Sequence, residues 1–203
     1  MSDRAAPPAL ARNAVGVGLA ALIPVPLLDE AVRRRLLRSS YTSAAADAGV
    51  ALDEATVRLL AEDRGSFAVA VLVALFWWPI RKLFRTVLYF LTLKDVLDWT
   101  TEAALRAEMV YLAAARGLLP GAAGPVRDAM DEVLGRHRYS PVSRPLLLGE
   151  RAEIAWPGGV QLTGFVGRLC WLGGGGHLLE RWIARLDALV AQGGAGAGDG
   201  GSR

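Results

Sequence analysis

A single cysteine, Cys170, leaves no partner for an internal disulfide and excludes a metal site built from several thiolates. The two histidines, His137 and His177, are forty residues apart and do not make a zinc motif. Cys170 and His177 are separated by a run of glycines, so a Cys–His nucleophile is not expected either. That glycine run, Gly173–Gly176, lacks the Gly-Lys-Ser/Thr ending of a nucleotide-binding loop and follows no clear strand. Lysine is scarce, and arginine supplies most of the positive charge. The net charge of +3 is too small and too dispersed to imply nucleic acid. The opening MSDRAAPPALARN carries an acid and two prolines before any apolar run, unlike a signal peptide. An intracellular protein, or one whose membrane-facing part is internal, is expected. Neither a cofactor nor a resident metal is expected, and the composition points to no enzyme class.

The most telling absence is local. From Ser66 to Leu93 there is no aspartate or glutamate. What fills that stretch is SFAVAVLVALFWWPIRKLFRTVLYFLTL. Phe67 to Trp78 is apolar on every side, so as a helix it has no face for water. The run is shorter than the roughly 20 residues a straight bilayer span needs, which favours a re-entrant or interfacial segment. After Pro79, which lacks an N–H and disturbs the preceding turn, the pattern becomes amphipathic. Ile80, Leu83, Phe84, Val87, Leu88 and Leu91 form one stripe; Arg81, Arg85, Tyr89 and Thr92 line the other side, with Lys82 beside them. Trp77 and Trp78 stand next to Arg81 and Lys82, a combination suited to a membrane–water boundary. The expected bilayer contacts are Trp77, Trp78, Ile80, Arg81, Lys82, Phe84 and Arg85. The competing reading is a central core helix of a soluble bundle. The hydrophobic share of 53% exceeds the usual value for soluble domains.

The rest reads as helix with short loops. A tail over residues 1–13 runs into a small-residue helix from Ala9 to Ile23. Within it Ala14 and Gly18, and Gly16 and Ala20, are spaced by four, which lets another helix approach closely. Pro24 and Pro26 end it. A second helix starts near Pro26, with Leu28, Val32 and Leu36 expected inside and Asp29–Arg33 and Glu30–Arg34 as ion pairs. Gly49 is placed to end that helix, and Asp53 caps a third, with Leu52 and Val57 as a hydrophobic staple.

The order GLAALIPVPLLDE, a helix, then AGVALDEATVRLLAE resembles a bacterial family of helical, membrane-associated domains, some of which are fused to GTP-binding domains. Pro24, Pro26, Asp29, Gly49 and the helix capped at Asp53 carry the resemblance, which spans about residues 14–62. In that family a glycine-rich apolar hairpin follows; here the corresponding stretch is rich in bulky aromatics. The resemblance implies helices and a membrane, and brings no catalytic residues.

Further along, Asp95 is expected to cap a long helix to Ala115, with Val96, Trp99, Ala103, Ala107, Val110 and Ala114 as its apolar stripe and Glu102–Arg106 as a pair. That acidic helix would fold back on the basic one before it. Gly117 to Pro125 is a break, and Val126 to Leu134 another short helix. Residues 135–159 contain three prolines and several arginines and read as a long connector. Arg136, His137, Arg138 and Arg144, joined by Tyr139 and Arg151, make a candidate anion-binding patch, whose plain alternative is a solvated connector. Residues 160–190 return to helix, interrupted at Gly173–Gly176, and 191–203 is a low-complexity tail expected to be disordered. The fold expected is an all-α multi-helix bundle, with residues 14–134 as the membrane-associated body. The expected partners are membrane lipids, anionic ones included, on the cytoplasmic side, with a homo-oligomer or protein partner left open and no nucleic acid. A soluble helical interaction module is the alternative, and an enzyme using His137 a third.

Overall fold

The computed structural model describes residues 8–23, 28–61, 85–135, 156–160, 162 and 164–197, with 8–9, 85–92 and 193–197 described by backbone alone. Within these residues the protein is an all-α multi-helix bundle of seven helices, with no strand. The helices are α1 (Pro8–Ala20), α2 (Leu28–Asp47), α3 (Glu54–Ala61), α4 (Arg85–Ala115), α5 (Ala123–Gly135), α6 (Gly164–Leu172) and α7 (Gly175–Ala197).

The centre is α4. From Thr100 to Ala114 it is buried on nearly every side, with only Glu102, Arg106 and Tyr111 reaching part of the surface. Ala103, Ala104, Ala107, Ala113 and Ala114 are the reason: small side chains let neighbours close in all round. Helices α1, α2, α6 and α7 pack on it, and α5 flanks it. The expected stripe of Val96, Trp99, Ala103, Ala107, Val110 and Ala114 is therefore only one part of a helix enclosed by the bundle.

One expectation is corrected here. Asp95 is not a cap, because α4 runs unbroken from Arg85 to Ala115. From Arg85 onward the end of the basic stretch and the acidic part are one helix and do not fold back on each other. Nothing in LTLKDVL breaks a helix, and Lys94 pairs with Asp98 one turn on, bridging the supposed boundary.

Helix α1 lies against α2 and α4. Its glycines set the distance. A Cβ at Gly18 would stand 1.9 Å from Thr100 Oγ1 and 2.5 Å from the Val96 carbonyl oxygen. The four-residue spacing of small side chains thus corresponds to a real close approach, with α4. Helix α2 runs antiparallel to α1: Asn13 Nδ2 donates to Ser39 Oγ, and Gly16 faces Leu36. The buried face of α2 is Leu37, Ser40, Tyr41, Ala44 and Ala45, so the expected inward face is displaced. Leu28 is exposed, and Val32 and Leu36 are only half-buried. Glu30 holds both Arg34 (2.6 Å) and Arg33 (3.1 Å), while Asp29 turns its carboxylate to the Glu30 N–H instead of to Arg33. At the far end Gly49 has φ +80°, with Val50 N–H donating to Ala45 O and Gly49 N–H to Ala46 O, the paired bonds of a Schellman ending. Asp53 caps α3 through Thr56, which holds its carboxyl below the usual range.

The C-terminal third packs on the other side of α4. Cys170 Sγ contacts the Thr101 carbonyl, and Trp182 Nε1 donates to the Met109 carbonyl at 3.1 Å. The glycine break is shorter than its four-residue run: α7 is already helical at Gly175. Two boundaries also move. Helix α1 starts at Pro8, one residue before the expected Ala9 and inside the segment 1–13 assigned to the tail, and ends at Ala20, short of Ile23. Helix α7 continues to Ala197, into the stretch 191–203 expected to be disordered, because each residue added to a nucleated helix brings a hydrogen bond that offsets the cost of glycine.

Candidate functional site

The levels of the helices along α4 define one end of the bundle. Gly18, near the C-terminus of α1, touches Val96 and Thr100. The Arg33 guanidinium, near the start of α2, lies 5.2 Å from the centre of the Trp99 ring. The last turn of α5, with Asp131, Leu134 and Gly135, lines a cleft with Asp98, Glu102, Leu105 and Arg106 of α4. The end of α1, the start of α2, the end of α5 and the outer part of α4 therefore share one end. It is at this end that residue 84 joins Arg85 and residue 136 follows Gly135.

Large apolar side chains are exposed there. Leu19 is 49% exposed, Leu22 54%, Leu28 50% and Leu93 48%. Residues 94–99 of α4 are half-buried, whereas burial is almost complete from Thr100 onward. Helix α4 extends further on this side than α1, which packs against it. At 31 residues it is about 46 Å long, against about 20 Å for the 13 residues of α1.

The cleft has a volume of about 280 Å³. Asp98, Glu102 and Asp131 bring three carboxylates to it, and each has a cation from this chain: Lys94 for Asp98, Arg106 for Glu102 at 2.9 Å, Arg127 for Asp131 at 3.2 Å. Asp98 and Glu102 stand four residues apart on α4, on one side of the cleft. Asp131 is opposite, brought there by the turn between α4 and α5. Among the described residues no group of three or more His, Cys, Asp or Glu is arranged to hold a metal ion.

Behind the cleft sits Tyr41, fully buried. Burial pushes its phenol pKa up, and the nearby Arg106 and Arg127 guanidinium groups only partly oppose this. Its hydroxyl lies beside Arg106 without completing a hydrogen bond of good geometry. Burial works against the charge of Arg106, but Tyr41 and Glu102 outweigh it and hold the guanidinium above its ordinary value. The folded chain thus binds the Tyr41 proton more tightly than the unfolded chain does. Its contribution to stability is complete below the ordinary phenol pKa of about 10 and is lost as pH rises through and beyond it. Urea midpoints measured from neutral to alkaline pH are expected to fall more steeply for the native chain than for Tyr41→Phe. Parallel curves would remove this role.

The residues expected at the bilayer, Trp77, Trp78, Ile80, Arg81, Lys82 and Phe84, lie outside the described residues, as does Pro79; Arg85 is the first residue of α4, its side chain not described. Arg136, His137, Arg138 and Arg144 also lie outside them. Cys170 and His177 go to different partners: the thiol is buried against Thr101, and the exposed imidazole is 3.2 Å from Glu180. No described helix is long and apolar enough to cross a membrane.

Comparison with protein-family models, with curated proteins and with solved structures finds no match for this chain.

Proposed function

We propose that this is a non-enzymatic, membrane-associated helical protein that contacts phospholipid through residues 66–93. Trp77, Trp78, Ile80 and Phe84 sit in the interfacial zone, and Arg81, Lys82 and Arg85 lie against lipid phosphates. The carrying observation is the acid-free, Trp-flanked apolar stretch, which leads into α4 at the end of the bundle where Leu19, Leu22, Leu28 and Leu93 are exposed. An anionic surface attracts each nearby Arg or Lys by about 1 kcal/mol, and the cytoplasmic leaflet is the surface that carries such lipids. Arg136, His137, Arg138 and Arg144 follow in sequence on the last turn of α5, which lies at that end, and suit the same partner. The resemblance of residues 14–62 to membrane-associated helical domains supports this reading.

Flotation of the full chain with phosphatidylcholine–phosphatidylglycerol vesicles tests it. Co-flotation is expected at low salt and should weaken as salt is raised. Replacing Arg81, Lys82 and Arg85 together by alanine should lower partitioning by about 100-fold, the product of three such contacts. A chain that stays at the bottom of the gradient at low salt would leave the soluble interaction module as the better reading.

A further inference from the structure

Helix α1 is unusual for a helix on the outside of a bundle. Its inner face, Leu10, Ala14, Val17 and Ala20, is buried. Its outer face should then carry polar groups. Only Arg12 does. The positions that follow it outward are Val15, Leu19 and Leu22, which are 37%, 49% and 54% exposed. From Asn13 to Leu28 the chain has no ionisable residue at all. Of the charges near this run, Arg12 lies at its far end, Asp29 accepts from the Glu30 N–H, and Glu30 with Arg33 and Arg34, and Lys94 with Asp98, are paired within their own helices.

The geometry points to the outer face of α1 as a second bilayer-contacting surface. Val15, Leu19 and Leu22, continued by Leu28 and Leu93, enter the acyl-chain boundary beside residues 66–84. This rests on the membrane reading above and adds to it: the bundle itself is seated on the lipid and is not merely tethered by the apolar stretch. Three things select lipid as the occupant. The face lacks charge of either sign over sixteen residues, so it matches hydrocarbon and offers nothing to a polar partner. The exposed leucines increase toward the end of the bundle where the apolar stretch joins α4, so one plane can meet both. The paired charges around them would lie at headgroup depth, where neither sign is costly.

The test places an environment-sensitive fluorophore on the full chain through Leu22→Cys, with Cys170→Ala removing the native thiol. Leu19→Cys serves as a second site and Arg58→Cys, on α3, as a control. Addition of phosphatidylcholine–phosphatidylglycerol vesicles should blue-shift emission from positions 19 and 22, with quenching by acyl-chain nitroxide lipids, and leave position 58 unchanged. Leu19→Ser with Leu22→Ser should reduce vesicle partitioning by about tenfold. If the labelled chain floats with vesicles but emission at positions 19 and 22 stays that of water, this surface is wrong and the contact through residues 66–93 stands. If the chain does not float, both fall. A blue shift without vesicles overturns the proposal whichever way it behaves: growth with protein concentration assigns the face to a second copy, and independence of concentration assigns it to the chain's own residues.

Discussion

Arg127→Ala is expected to destabilise the protein by about 3–5 kcal/mol, among the largest losses available from any single polar side chain here. The side chain is 4% exposed. Nη1 donates to the Leu60 carbonyl at 2.7 Å, and Nη2 lies 3.2 Å from Asp131. The first contact closes α3. Leu60 is in the last turn of that helix, where carbonyls have no partner of their own, and this one is buried. Truncation leaves a desolvated carbonyl on α3 and a carboxylate on α5 deprived of its cation. Arg127→Met keeps most of the packing and should recover only part of the loss. Urea unfolding followed by circular dichroism gives the number, and amide exchange in α3 shows where the damage begins. A loss below about 1 kcal/mol for the alanine variant would mean that α3 is held by Val57, Leu60 and Ala61 alone.

The second large effect is expected at Gly18. Gly18→Val should cost about 3 kcal/mol through overpacking, and Gly18→Ala should also destabilise even though alanine favours a helix by about 1 kcal/mol. The reason is that the new Cβ meets Thr100 Oγ1 at 1.9 Å and the Val96 carbonyl oxygen at 2.5 Å. Adding Thr100→Ala removes the first clash and not the second, so rescue should be partial. Gly16→Ala is the control: its Cβ meets only the Leu36 side chain, Cδ1 at 3.2 Å and Cδ2 at 3.7 Å, which can turn aside. Equal effects at Gly16 and Gly18 would show that the α1–α4 distance is not what matters.

Local features were legible because their causes are local. Gly49 ends α2 with both Schellman bonds, Asp53 caps α3, and Glu102 meets Arg106 one turn on, all readable from spacing. The close approach at Gly18 was legible as a possibility, but its partner was not. The central place of α4 was obscured because residues 67–78 are the more apolar stretch in sequence, whereas among the described residues it is Thr100–Ala114 that is enclosed. Burial there follows from small side chains that admit neighbours from every direction, a property of the assembly and not of hydropathy. The Leu28–Val32–Leu36 face is displaced because, among the described residues, Leu37, Tyr41, Ala44 and Ala45 are the α2 side chains that meet the core, while Leu28 is exposed. Arg127 and Leu60 are 67 residues apart, and a side chain seeking one particular carbonyl leaves no pattern in sequence. The meeting of Asp131 with Asp98 and Glu102 was hidden in the same way.

Helix α4 has no glycine or proline from Arg85 to Ala115. Among the described residues it is enclosed from Thr100 to Ala114 and half-buried from Lys94 to Trp99, so mechanically it is a rod held most firmly toward its C-terminal end. No swivel separates the part nearest the apolar stretch from the part inside the core. Tension, tilt or lateral pressure applied at Arg85 is therefore carried toward Thr100 and the α1 seam along one continuous helix, with no glycine or proline to localise a kink.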